Sequence, residues 1–166
     1  MTLQARVEAI FERLLRSLPE RAQLAEGTTS RVSLTLESTI ASIHAVEEMA
    51  LEWARSAGFS LDIASHLSLV AGEATANAVM HGNRYDPAKR ITATFEISDS
   101  ALTIKVADQG EGVDPETIPD PLAPENLLRS SGRGVFLMRA FMDEVHFRRL
   151  DPGTEISLIK HRIQPG

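Results

Sequence analysis

Three features of this sequence predict an α+β fold, a two-layer sandwich with a mixed, mostly antiparallel sheet covered by helices on one face. Val32, Leu34 and Leu36 alternate with polar residues, and similar runs recur at 91–98 and 102–107. That period marks strands with one buried and one wetter face. Segments 40–57 and 60–83 instead repeat their apolar residues at threes and fours, the spacing of amphipathic helices. The order of elements is helix, strand, helix, helix, strand, strand, long loop, helix, strand, strand, which suits helices packed on one side of a sheet.

At 166 residues the chain is one domain's worth and long enough to bury a real core. Hydrophobic residues make up 43% and charged residues 24%, an ordinary globular balance. The formal net charge of −6 and the absence of a Lys/Arg cluster larger than Arg148-Arg149 argue against a nucleic-acid partner. With no cysteine, disulfides, thiolate metal sites and cysteine nucleophiles are excluded. No apolar run approaches the roughly 20 residues that span a bilayer, so no membrane partner is expected. Arg6, Glu8, Glu12, Arg13 and Arg16 interrupt the N-terminus in a way no signal peptide tolerates. These readings together predict a soluble, cytoplasmic protein.

Taken in order, residues 2–18 carry an apolar stripe of Leu3, Val7, Ile10, Phe11, Leu14 and Leu18, closed by Pro19. The stripe serves either docking on the chain's own domain or pairing with a second helix. Residues 1–30 thus form an N-terminal helix and linker, and 31–162 the main domain. Ser38 or Thr39 is placed to cap the helix at 40–57, and Gly58 to end it. The next helix starts near Ser60 and stops at His81-Gly82-Asn83, where Gly82 suits a left-handed cap. Asp86-Pro87 marks a turn, and Asp99-Ser100 joins two strands as a hairpin. Residues 108–131 hold Gly110, Gly112 and four prolines, a loop long enough to be functional. Gly132-Arg133-Gly134 precedes a helix at 135–142, and strands at 144–150 and 154–161 flank an Asp151-Pro152-Gly153 turn.

The helix at 60–83 has an unusual face. Glu73, Asn77, Met80 and His81 fall at i, i+4, i+7 and i+8, while Leu67, Val70 and several alanines fill the rest. A Glu and an Asn one turn apart on a buried helix need partners, because an unpaired buried charge is costly. A divalent cation and a polyphosphate are such partners. Three pieces then ask for one explanation: Glu-xxx-Asn on a helix, Asp108-Gln109-Gly110-Glu111-Gly112 after a buried strand, and Gly132-Arg133-Gly134 opening a helix.

In these three motifs, EATANAVMHGN, DQGEG and SGRGVFLMRAFMDEV, the sequence resembles the GHKL (Bergerat-fold) ATPase/kinase superfamily, which includes gyrase B, MutL and histidine kinases. Within it the chain is similar to the small bacterial anti-sigma factor serine kinases of the SpoIIAB and RsbW type. The resemblance covers about residues 32–160. It implies ATP and Mg²⁺ as cofactors, with Asn77 as the metal ligand through its carbonyl and Glu73 as the general base. It implies that Asp108 accepts a hydrogen bond from the adenine amino group and that Gly110 and Gly112 let the backbone pass close beneath the base. Gly132, Gly134 and the following Val135 would bring backbone N–H groups and a helix N-terminus to the phosphates, and residues 113–131 would form the ATP lid. His81 and Asn83 flank the nucleotide end of the helix, His81 as a hydrogen-bonding residue, and Arg84 is a candidate phosphate or partner contact.

Transfer also needs positive charge at the γ-phosphate. Arg129 and Arg133 are both candidates. The family's arginine stands two residues before the first glycine of this box, where this chain has Ser130. The resemblance further implies an ATP-dependent serine/threonine kinase, with a sigma factor and a STAS-domain antagonist as protein partners, and a homodimer. Two alternatives stand beside it: a non-catalytic ATP-binding module that sequesters a partner, and a histidine-kinase-type catalytic domain. His44, the sole histidine before the motif helix, lacks the acidic neighbour and nearby proline of a phosphoacceptor box.

Overall fold

The computed structural model describes residues 30–112 and 130–162. The helix expected at 2–18, residues 113–129 of the expected lid, and Arg129 lie outside the described residues. The elements run β1 (Ser30–Glu37), α1 (Ile40–Ser56), α2 (Leu61–Ala76) and a π-helical turn (Asn77–Gly82). They continue with β2 (Arg90–Ile97), β3 (Ala101–Ala107), α3 (Ser130–Phe141), β4 (Glu144–Leu150) and β5 (Gly153–His161). The five strands form one sheet in the order β1-β2-β3-β5-β4. All four pairings are antiparallel, so the parallel component allowed for by a mixed sheet is not present among the described residues.

Alternation decides which face is covered. Leu34 and Leu36 of β1, Ile91, Ala93, Phe95 and Ile97 of β2, and Leu102, Ile104 and Val106 of β3 are buried beneath the helices. The intervening Ser33, Thr35, Thr92 and Thr103 face the other way and are not fully buried. There Ser33 and Thr94 meet hydroxyl to hydroxyl at 3.0 Å. From the helical layer, Val46, Met49, Ala50 and Trp53 of α1 and Leu67, Val70, Ala71 and Ala74 of α2 complete the core. Trp53 stacks on Phe95 with ring centroids 6.1 Å apart, joining the two layers.

Both helix starts follow their caps. Thr39 is extended and its hydroxyl accepts the Ser42 N–H at 3.3 Å, while Ser60 accepts the Ile63 N–H at 3.2 Å. Such a cap contributes on the order of 1 kcal/mol. Gly58 ends α1 with φ +92°, as its residue type predicts. The C-terminus of α2 departs from expectation. Gly82 is not left-handed; instead the helix widens into the π-helical turn, with Asn83 N–H donating to Ala78 O at 2.8 Å. The left-handed residues come later and are Arg84 (φ 50°) and Tyr85 (φ 58°). The last helix also begins earlier than its apolar pattern suggests, at Ser130 rather than 135. Gly132 and Arg133 therefore lie in its first turn, where N–H groups have no intrahelical partner. No helix among the described residues is long and apolar enough to cross a membrane.

Candidate functional site

The strand register brings several chain segments to one end of the sheet. β3 leaves the sheet at Ala107, opposite Glu155, and Asp108 N–H still donates to Thr154 O at 3.0 Å. The end of β1 and the start of β2 lie at the same end, since Glu37 pairs with Arg90. The π-helical turn of α2 descends onto this edge. Between them lies a cavity of about 330 Å³, within the range of small-molecule sites. Its polar wall carries Asn77, His81, Asp108 and Glu111, and its apolar wall Val135, Phe147 and Ile156.

Asp108 is the buried charge of the site. Its Oδ1 accepts two backbone N–H groups, from Gly110 at 3.0 Å and from Thr154 at 3.1 Å. Its Oδ2 has no hydrogen-bond partner among the described residues and packs against Gly82, where any Cβ would collide with it. Gly110 in turn packs against the Gly82 carbonyl so closely that a side chain at 110 would meet backbone. These two glycines therefore answer to close approach, and Gly82 in particular is small because Asp108 is beside it. Burial pushes the Asp108 carboxyl above its ordinary value, against the opposing pull of the Gly110 and Thr154 N–H groups and the Lys89 charge. A half-saturated carboxylate at the wall of a partly apolar cavity is a ready acceptor for an amino group on a flat heterocycle.

Glu73 and Asn77 lie one turn apart and both reach the first turns of α3. A Cβ built on Gly134 would stand 3.0 Å from Glu73 Oε2 and 3.7 Å from Asn77 Nδ2. Asn77 lines the cavity, whereas Glu73 sits half-buried beneath Gly134 and does not line it. Among the described residues no group of three or more His, Asp or Glu side chains could hold a metal ion on its own. An ion held by one Asn carbonyl, with phosphate oxygens and water for the rest, is the arrangement Mg²⁺ accepts. The donor set thus fits Mg²⁺ arriving with a nucleotide and does not fit a stand-alone metal centre.

Of the residues singled out from sequence, Asn77, His81, Arg84, Asp108, Gly112 and Val135 share the cavity wall. Gly110 lies behind Asp108, and Gly132 and Arg133 are backbone positions in α3. Met80 is exposed and off the cavity wall, because the π-helical turn changes the angular step after Asn77. Sequence reasoning missed Phe147, Thr154 and Ile156, which the strands β4 and β5 aim inward, and assigned no part to Glu111. The alternation of those strands names their inward residues, but only the register places them against Asp108.

Comparison with known proteins gives a consistent picture. Residues 36–160 match the family model described as a histidine kinase-like ATPase domain. The chain is 36% identical over 112 residues to a serine-protein kinase RsbW of Staphylococcus epidermidis, covering 63% of this chain and 70% of that protein. It is 34% identical over 107 residues to an anti-sigma F factor of Anoxybacillus flavithermus, covering 61% and 72% respectively. Among solved structures, it resembles the RsbU and RsbW domains of a Mycobacterium tuberculosis protein with a TM-score of 0.59 and 20% identity. That likeness covers 81% of this chain and 33% of the other, and it bears on the fold alone.

Proposed function

The chain belongs to the histidine kinase-like ATPase domain family, and from that premise we propose that it is an ATP-dependent serine/threonine protein kinase acting as an anti-sigma factor. In this reading it phosphorylates a small antagonist of the STAS-domain class and sequesters a sigma factor while that antagonist is phosphorylated. The relatives named as serine-protein kinases and as an anti-sigma F factor support this branch of the family.

One observation carries the nucleotide assignment: Asp108 has one oxygen saturated by two N–H groups and the other without a partner among the described residues, on the wall of a cavity that also holds Asn77. Adenine offers an amino hydrogen to that oxygen, whereas guanine presents a carbonyl at the same position. Val135, Phe147 and Ile156 provide the apolar surface for the ring. At the other end, the N–H groups of the first turn of α3, including that of Gly132, hold phosphate oxygens. Asn77 would contribute its carbonyl to Mg²⁺, which would supply positive charge at the phosphates. Glu73, one turn back on α2, would take the proton from the acceptor hydroxyl as its oxygen attacks the γ-phosphorus and the bond to the β–γ bridging oxygen breaks, releasing ADP. Arg129 or Arg133 adds positive charge at the γ-phosphate, and His81 supports the polar wall. The working form is a cytoplasmic homodimer, with the apolar stripe of residues 2–18 as one candidate contact.

The test has two stages. Thermal melting with Mg²⁺ and ATP, ADP or GTP should show an upward shift with adenine nucleotides only. Ligand at about 100 times its dissociation constant stabilises by roughly 2.7 kcal/mol, a shift on the order of 5–10 °C at this size. Transfer of ³²P from ATP to a STAS-domain protein should then depend on Glu73, being lost in Glu73→Gln. Adenine-nucleotide binding without transfer to any acceptor would leave a sequestering module in place of the kinase.

A further inference from the structure

Behind the cavity, and off its wall, sits a side chain whose bonds converge on the base-recognition loop. Asn83 follows the π-helical turn and is 1% exposed. Its Nδ2 donates to Ser38 Oγ at 2.9 Å and to Arg90 O at 3.0 Å, and its Oδ1 accepts the Gln109 N–H at 2.8 Å. One amide thereby ties the end of α2 to the β1–α1 junction, the start of β2 and the loop after β3. The Gln109 side chain completes the network, its Oε1 accepting the Arg90 N–H at 2.6 Å. Ser38 Oγ donates onward to Lys89 O at 2.7 Å, so toward Asn83 it acts as acceptor.

The proton directions make an amide necessary. Two of the Asn83 neighbours accept and one donates, a pattern that Asn satisfies and Asp does not. The Gln109 N–H belongs to the peptide unit that joins it to Asp108. Gripping that N–H fixes the backbone on the C-terminal side of Asp108, while Thr154 holds the N-terminal side through Asp108 N–H. The direction of Oδ2 follows from both.

We propose that Asn83 is a positioning residue for base recognition, acting through Asp108 to set the preference for adenine. The inference rests on the ATP reading above and adds to it the residue that orients the acceptor. It also accounts for a side chain that is fully hydrogen-bonded yet buried away from the ligand. Loss of the amide frees the 108–109 peptide to turn, and the advantage of a 6-amino group falls.

The experiment is calorimetric titration of the full chain with Mg²⁺ and either ATP or inosine triphosphate, which carries a carbonyl in place of the amino group. Asn83→Ala should weaken ATP about tenfold and inosine triphosphate by twofold or less, so that the ratio between them collapses. In an Asp108→Asn background the same change should cost ATP almost nothing, since the two residues act as one unit. Ser38→Ala, a small change that removes one of the two acceptors orienting the Asn83 amide, should shift the ratio in the same direction by about threefold. That variant decides the matter should Asn83→Ala fail to fold. An equal loss for both nucleotides, or effects of Asn83→Ala and Asp108→Asn that multiply, would overturn the proposal and leave Asn83 a structural tie. A wild-type chain that binds neither nucleotide removes the ATP reading itself; normal wild-type binding with unchanged ratios removes the Asn83 proposal alone.

Discussion

Asp108 shows how one residue serves two opposed demands. Its carboxyl is raised above the ordinary value of 3.8, chiefly because burial disfavours the charge. The folded chain therefore holds this proton more tightly than the unfolded chain does. By linkage, the contribution of this group to stability falls as pH rises from 3.8 through the raised folded value. The base recognition proposed for it runs the other way, because only the ionised carboxylate is a pure acceptor. Asp108→Asn keeps an oxygen for the Gly110 and Thr154 N–H groups and removes the buried charge. The ligand-free variant should accordingly melt at or above the wild-type temperature near neutral pH, and its melting profile should be flatter with pH. Its ATP-induced shift should fall to the one that inosine triphosphate gives the wild type. A variant that melts well below wild type without ligand would show that the charge supports the fold after all. Asp108 was legible in the sequence through the DQGEG motif; the division of labour between its two oxygens was not, since Thr154 lies 46 positions away and only the register joins them.

At the level of elements, legibility follows the strength of the local signal. The caps Thr39 and Ser60, the β2–β3 hairpin and the apolar faces of α1 and α2 are written in residue type and period, and the structure places them within a residue or two. The π-helical turn is not written anywhere. One extra residue per turn leaves no compositional mark, so Gly82 reads as a cap when its neighbour Asp108 is the reason for its size. The start of α3 was hidden similarly, because glycines read as a loop although the helix runs through them. That helix start predicts a separable defect. Gly134→Ala places a methyl about 3.0 Å from Glu73 Oε2, tight enough that the carboxylate or the first turn of α3 must yield. The variant should lose at least tenfold in the rate of phosphate transfer, with ATP affinity changed by threefold or less. Single-turnover transfer alongside equilibrium titration separates the two. Equal losses in both would mean that Gly134 serves nucleotide binding and not the placement of Glu73.

The whole molecule divides into a site end and a core end along the same sheet. The cavity draws its wall from the helical layer through Asn77 and Val135 and from the sheet side through Asp108, Phe147 and Ile156. A nucleotide bound there, as proposed, would bridge both layers, and its binding energy should appear as global stability. The bulk of the core, including the Trp53–Phe95 stack, lies further along the strands. Phe95 pairs with Ile104, four residues before Asp108. At about 3.3 Å per residue that is roughly 13 Å from the site, beyond the range within which substitutions usually couple. Phe95→Ala removes a fully buried ring and should cost about 3–5 kcal/mol, a large share of the stability of a domain this size. The cost should fall entirely on folding: the variant should melt far lower, bind ATP within twofold of wild type at a temperature where it is folded, and gain the same stabilisation from saturating ATP. Denaturant titrations with and without Mg²⁺-ATP measure all three quantities. A loss of ATP affinity that tracks the loss of stability would mean instead that the two ends of the sheet are one cooperative device, with the core setting the geometry of Asp108.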